Sequence, residues 1–216
     1  MCAVTYRKFA DRRTAGRRLA GWVRQQDWSD PVVLGLARGG VPVAAEVARE
    51  LDAPLDVAVS RKIGAPGRPE YGVGAVTADG PPYYDDRILR MLRLDPRDLE
   101  QVCADQRAEA HRRVRRYLRG REPVALRGRD VLVVDDGLAT GVTATAALRD
   151  ARQAQPRRLV FAAPVCAPEA AAQLRGEVDD VMCLAEPDDF AAVGQWYDDF
   201  TQTTDNEVVS FLRTAR

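Results

Sequence analysis

Lysine and histidine are almost missing from this chain of 216 residues. Only Lys8, Lys62 and His111 occur, so 30 of the 32 basic residues are arginine. We read that bias as codon composition, which leaves an isolated arginine with little functional weight. The single histidine lies in an arginine-rich helical stretch, which argues against a Ser–His–Asp triad. Cysteine is sparse too: Cys2, Cys103, Cys166 and Cys183 stand singly, with no CxxC and no Cys–His spacing. That pattern argues against a metal cluster or disulfide framework and predicts reduced packing cysteines. Long apolar runs are absent. The longest, around Leu159–Val165, is far short of a membrane span, and MCAVTYRKFADRR moves into arginines without the apolar stretch of a signal peptide. Net charge is absent as well, with 32 basic against 32 acidic residues. A neutral chain that is 46% apolar is not a disordered tail, a basic nucleic-acid coat or a collagen-like fibre. The expectation is a cytoplasmic domain with no membrane partner. It is long enough to bury about 70% of its unfolded surface, so it needs no metal or disulfide to fold.

What is present is an alternation of apolar runs and amphipathic stretches. Helical periodicity covers Arg12–Gln26, then Val43–Leu51, Thr143–Ala154, Pro168–Arg175 and Asp205–Leu212. Asp95-Pro96 supplies an N-cap followed by proline at the first turn, opening a long helix to about Tyr117. Strand-like runs are Pro31–Ala37, Leu55–Ser60, Val131–Asp135, Arg158–Val165 and Asp180–Leu184. From Lys62 to Pro82 the chain is so rich in glycine and proline that a loop is expected. The fold class is α/β, a mostly parallel sheet covered on both faces, with ligands at the carboxyl ends of its strands. The whole chain, 1–216, reads as one domain. It comprises an N-terminal helix (1–30), a flexible loop (62–83), a helical insertion (84–128) and a hood with a C-terminal helix (185–216).

The most informative segment is Val131-Leu-Val-Val-Asp135-Asp136-Gly137-Leu-Ala139-Thr140-Gly141-Val142-Thr143. A buried strand carries two adjacent carboxylates to its tip, and a turn of small residues leads into a helix N-terminus. Backbone N–H groups and hydroxyls of that turn can face a phosphate, helped by about half a positive charge from the helix dipole. The turn has no lysine, so it is not GxxxxGK[ST], and GxGxxG is also absent. The two acids suit sugar hydroxyls or the water shell of a magnesium ion.

This segment resembles the signature of the type I phosphoribosyltransferases, which bind 5-phosphoribosyl-1-pyrophosphate (PRPP) and magnesium. The resemblance implies that Asp135 and Asp136 are the catalytic acids that contact the ribose, and that Ala139, Thr140, Gly141, Val142 and Thr143 hold the 5-phosphate. Gly137 departs from the apolar residue many members carry, a change expected only to loosen local packing. At the end of the first strand, Arg38-Gly39-Gly40 sits where the family keeps its pyrophosphate loop. Its glycines permit close backbone approach, and its arginine can neutralise a diphosphate. The family would place a non-proline cis peptide between Ala37 and Arg38. Arg61 and Lys62, at the end of the second strand, suit the departing pyrophosphate, and the Gly/Pro stretch after them matches the family's mobile loop. In the hypoxanthine-guanine branch, the segment matching Pro187–Asp198 binds the base. That likeness offers Phe190, Trp196 or Tyr197 as the stacking platform and Asp198 as the metal-side acid. The acid that handles the purine proton in that branch is replaced by Ala139, as in adenine-type enzymes, which leaves Glu70 as the candidate general base.

Arg107–Arg129 is densely basic and the C-terminal quarter acidic. It reads either as an RNA-binding face, as in pyrimidine-operon attenuators of this fold, or as a solvated helix that pairs with the acidic half, a dimer partner included. The second is preferred, with nucleic acid an unfavoured partner. The expected activity is magnesium-dependent transfer of the phosphoribosyl group from PRPP to a nitrogen heterocycle, a purine-like base first, by a homodimer. The alternatives are a non-catalytic PRPP or nucleotide sensor in the same pocket, and transfer to an unusual acceptor such as an alcohol.

Overall fold

Apolar runs long enough to be buried on both sides pair with one another, and here they build the central sheet. The structure is a computed structural model that describes residues 8–214, so Cys2 and the reading of the extreme N-terminus fall outside the described residues. The first part of the chain forms α1 (Arg12–Val23), β1 (Pro31–Leu36), α2 (Gly40–Glu50) and β2 (Leu55–Ala58). A second group follows: β3 (Ser60–Ala65), β4 (Arg68–Thr77), β5 (Tyr83–Tyr84), α3 (Asp86–Leu92) and α4 (Glu100–Leu118). The last part contributes β6 (Asp130–Val134), α5 (Val142–Gln153), β7 (Arg158–Val165), α6 (Pro168–Leu174), β8 (Asp180–Ala185) and α7 (Asp205–Thr214).

The five-stranded sheet is parallel throughout, in the order β2-β1-β6-β7-β8. Its registers place Val33 beside Leu132 and Val133 beside Phe161. Successive residues then point to opposite layers. Leu132, Val134, Val160 and Ala162 pack with α1, α2 and α7, whereas Val131, Val133, Leu159 and Phe161 pack with α5 and α6. Both faces are dry, which is why these strands are apolar at every position instead of alternating. The α/β architecture is the one expected.

The Gly/Pro stretch departs from expectation. Lys62–Pro82 is not an irregular loop: most of it belongs to an antiparallel hairpin, β3 and β4, extended by β5. Gly67, at φ +71°, makes the tight turn that only a residue without a Cβ takes easily. Gly64 and Gly72 let the strands approach where the register shifts. The breakers therefore shape a bulged hairpin. Its inner side chains, Ile63, Val73 and Val76, pack on Leu89, Leu99 and Cys103, so the insertion exists to cover it. Helix α3, which the sequence reading passed over, is part of that cover. Asp95 does act as a cap, accepting the Arg97 N–H at 2.9 Å. The turn it opens is a 3-10 segment, Pro96–Leu99, which runs into α4.

The cysteine expectation is corrected as well. Cys166 and Cys183 form a disulfide, with their Cα atoms 6.1 Å apart, and Cys103 is the buried free thiol among the described residues. Parallel neighbours β7 and β8 bring the two together although 17 residues separate them, a proximity that spacing alone does not display. The basic helix α4 pairs with the acidic end of the same chain: Arg116 and Tyr117 both donate to the Asp205 carboxylate, at 2.6 and 2.7 Å.

Candidate functional site

The chain leaves β1 toward α2 and β2 on one side, and leaves β6 toward α5 and β7 on the other. Adjacent strands whose connections diverge in this way open a crevice at their carboxyl ends.

From β1, the Ala37–Arg38 peptide is cis, as the resemblance implied. Gly39 and Gly40 come next, pressed against the end of β6: a Cβ on Gly39 would collide with the Asp136 carboxylate, and one on Gly40 with the Val134 carbonyl. Two loops distant in sequence are thereby locked face to face, and glycine is what lets them meet. From β6, Asp135 donates its N–H to the Ala162 carbonyl, and its Oδ1 accepts the Asp136 N–H at 2.8 Å. Leu138 is held on both sides, by the Val165 carbonyl and the Ala167 N–H, so the turn 139–143 starts from a fixed point. Gly141, at φ +75°, turns the chain into α5. The first N–H groups of that helix have no intrahelical partner. Ala139 and Thr140 are exposed, Thr143 half-buried and Val142 buried, an arrangement suited to an anion at the helix N-terminus.

The two acids differ. Asp136 is only 9% exposed, and its Oδ2 accepts Arg12 Nε at 2.7 Å. Its carbonyl accepts the Tyr197 hydroxyl at 2.6 Å. Asp135 keeps some exposure to the crevice. Burial raises both carboxyls above the ordinary range; the neighbouring Asp136 pushes Asp135 further up, while Arg12 opposes the rise at Asp136. The Tyr197 phenol is also raised, first by burial and then by Asp136.

Arg12 escaped the sequence reading. Asp11 caps α1 by accepting the Thr14 N–H at 2.6 Å, which places Arg12 in the first turn. From there its guanidinium reaches Asp136, the Thr201 carbonyl at 2.7 Å and the face of Phe200, 4.0 Å from the ring centroid. Nothing in the sequence separates it from the other arginines.

Of the basic residues expected on the pyrophosphate, Arg38 lies 3.8 Å from Asp205, and Arg61 donates to Gln106 at 3.0 Å. Burial, and then Arg113, lower the Arg61 pKa. Lys62 is exposed and points along the hairpin to the Glu70 carbonyl at 3.5 Å, while Glu70 itself is exposed on β4. The hood differs most from expectation. Trp196 and Tyr197 are 7% and 4% exposed, packed with Phe9, Ala15, Val165 and Ala185, so neither ring offers an open face for a base. Phe190 is half-buried on the same cluster. The more exposed aromatic beside them is Phe200, 36% exposed, tilted against Tyr197 at 5.1 Å and covered on one face by Arg12. Gly137 also has a different meaning from the one expected: a Cβ there would collide with Val193, so the small residue seats the hood rather than loosening it. Asp198 is exposed, and its N–H donates to the Phe9 carbonyl. Among the described residues, no group of three His, Cys, Asp or Glu side chains could by itself hold a metal ion.

Sheet, divergent loops, acid pair and helix N-terminus together define the type I phosphoribosyltransferase fold. The profile of the phosphoribosyl transferase domain matches residues 8–201, and the chain belongs to that family. Two curated relatives from Mycobacterium tuberculosis, each bearing the name "Putative phosphoribosyl transferase", are 47% identical over 207 residues. The match covers 96% of this chain and 47% of theirs, so the chain spans about half the length of those relatives. The crystal structure of TT1426 from Thermus thermophilus is 47% identical, with a TM-score of 0.80 over 95% of this chain and 97% of that one. A hypothetical protein of Neisseria gonorrhoeae, solved with bound ppGpp, is 15% identical with a TM-score of 0.52 over 100% of this chain and 99% of its own, a likeness of fold alone. No helix of the described residues is long and apolar enough to cross a membrane.

Proposed function

We propose that the chain transfers the phosphoribosyl group of PRPP to a nitrogen nucleophile and releases pyrophosphate. One observation carries this reading: the acid pair, the Gly39-Gly40 loop and the N-terminus of α5 converge at the switch point between β1 and β6. That is a sugar site with an anion site on either side of it. The turn 139–143 takes the 5-phosphate and Asp135 the ribose hydroxyls, with Arg38 and Arg61 on the diphosphate; Lys62, at the hairpin edge, is less central.

In the reaction the C1–O bond breaks and its electron pair leaves with pyrophosphate. The acceptor nitrogen gives its lone pair to C1 and then loses a proton. The ring carries oxocarbenium-like positive charge in between, by analogy with other glycosyl transfers. Asp135 stabilises that charge, and the arginines stabilise the leaving group. Positioning and fixed electrostatics therefore supply most of the acceleration. Folded over the crevice, the hairpin β3–β4 would exclude water from a centre that would otherwise hydrolyse. Ala139 cannot take the acceptor's proton, and Glu70 reaches it only if the hairpin folds over the crevice.

Magnesium fits as an ion carried by the donor. The described residues offer single carboxylates and no closed cage, the manner in which magnesium binds alongside substrate phosphates while keeping several waters. Asp135 and Asp198 are the acids that would face it, and when bound it neutralises the diphosphate. We assign the acceptor as a purine-like base lying against Phe190, since base–aromatic stacking is worth about 1–3 kcal/mol.

A second reading, a donor- or nucleotide-binding regulator, draws on the pairing of Asp136 with Arg12, which occupies one of the two acids. Calorimetry with magnesium and PRPP tests the shared core of both. The wild type should bind, and Asp135→Asn with Asp136→Asn should lose at least about tenfold in affinity, the scale of losing charge-assisted hydrogen bonds, with an unchanged circular dichroism spectrum. Equal affinity in the double variant would remove the acids from the site.

A further inference from the structure

The helical insertion covers the hairpin, and its charged residues also gather beside Arg38 and Arg61. Gln106, Glu109, Arg113 and Tyr117 are spaced three, four and four residues apart and so share one face of α4. Each takes part in the basic corner of the site. Gln106 holds Arg61 at 3.0 Å. Glu109 holds Arg113 at 2.7 Å. Tyr117 donates to Asp205, whose carboxylate also faces Arg38 and Arg116.

Arg61, Arg113 and Arg38 are thereby held in succession along one face of α4, and all are partly withdrawn from water; the side chains of Arg38 and Arg113 are 25% and 17% exposed. Two carboxylates, Glu109 and Asp205, face the three guanidiniums, and both are shared with further arginines, Arg112 and Arg116. The Arg61 charge is disfavoured by burial, then by Arg113, with Arg38 adding to it and Glu109 opposing. Like charges held together with too few carboxylates to match them suit an added anion.

We propose that Arg113 of α4 is a third diphosphate-binding arginine, acting with Arg38 and Arg61, and that Glu109 and Asp205 are the carboxylates that hold these guanidiniums in place between ligands. The inference rests on the reading of the crevice as a PRPP site. It gives the insertion a task, the completion of the pyrophosphate subsite from outside the central sheet, and it makes the grip on the diphosphate depend on the docking of α4 against α7.

The test is calorimetric titration of the full chain with inorganic pyrophosphate and magnesium, comparing wild type, Arg113→Met and Arg115→Met. Arg115 is exposed on the same helix and serves as control. The expected result is at least about tenfold weaker binding for R113M, the scale of one charge-assisted contact, with no change for R115M. Binding by R113M within twofold of wild type, or equal losses in the two variants, overturns the role of Arg113. A wild type that binds neither pyrophosphate nor PRPP overturns the underlying site reading, and this proposal with it.

A measurement on the unmutated chain guards against misfolding of R113M. Arginine-specific dicarbonyl labelling, read by mass spectrometry, should show pyrophosphate protecting Arg113 and leaving Arg115 reactive. Unprotected Arg113 in pyrophosphate-saturated protein contradicts the proposal.

Discussion

Two neighbouring carboxylates, Asp135 and Asp136, divide the labour of the site by their surroundings. Asp136 is bound into the frame by Arg12, and its carbonyl by Tyr197, so it ties α1 and the hood to the tip of β6. Asp135 is half-buried, and its Oδ1 accepts the Asp136 N–H in place of a guanidinium. Its carboxyl is raised by burial and by Asp136. A carboxyl whose folded-state value lies above its unfolded value favours folding while protonated, and costs stability as pH rises through the folded value. Asp135→Asn should therefore melt higher than wild type at neutral pH, by about 2–4 °C for each kcal/mol relieved in a chain of this size. The gain should vanish below the ordinary carboxylate value of 3.8. Turnover should fall at least about a hundredfold, as when a preorganised electrostatic group is lost. Paired melting scans at two pH values check the first part. An unchanged or lowered melting point at neutral pH would show that the acid is not held at a cost.

The acids and their turn were legible because a fixed spacing carries them. Arg12 was not, because arginine is common here and its partner lies 124 positions away.

At the scale of elements, the strands and most helices followed from apolar runs and caps, with β7 falling on the expected residues, Arg158–Val165. The hairpin did not, because glycine and proline mark turns and bulges equally well, and only the cover given by Leu89, Leu99 and Cys103 makes this stretch a sheet. Nor did the disulfide, which depends on the β7–β8 register. The hood likewise needed coordinates: an aromatic cluster reads the same in sequence whether it stacks on a ligand or fills a core, and here Trp196 and Tyr197 fill one.

The contact of Gly137 with Val193 joins the hood to the acid turn. Gly137→Ala should overpack that contact at a cost of about 1–3 kcal/mol and weaken PRPP binding by moving the turn. Val193→Ala in the same chain should restore both. Melting and binding of the two single variants and the double variant form a cycle that measures this coupling. Additive effects would mean that hood and turn do not press on one another.

For the whole molecule, a neutral charge total conceals a strong division: arginines gathered on α4 meet Asp205 of α7 inside one chain, and Arg38 faces the same carboxylate. The sheet order places the site, because the connections diverge only between β1 and β6. The match to about half the length of the Mycobacterium tuberculosis relatives leaves the activity of any longer protein to be measured as such.

The central claim is that the crevice activates PRPP for transfer. Pyrophosphate release from the magnesium–PRPP complex tests it most directly, across a panel of purines, pyrimidines and related heterocycles, with the Asp135→Asn/Asp136→Asn variant as control. The account predicts release that depends on one class of acceptor and disappears in the variant. Release that persists undiminished in the variant, or a wild type that neither binds PRPP nor releases pyrophosphate with any acceptor, would contradict it.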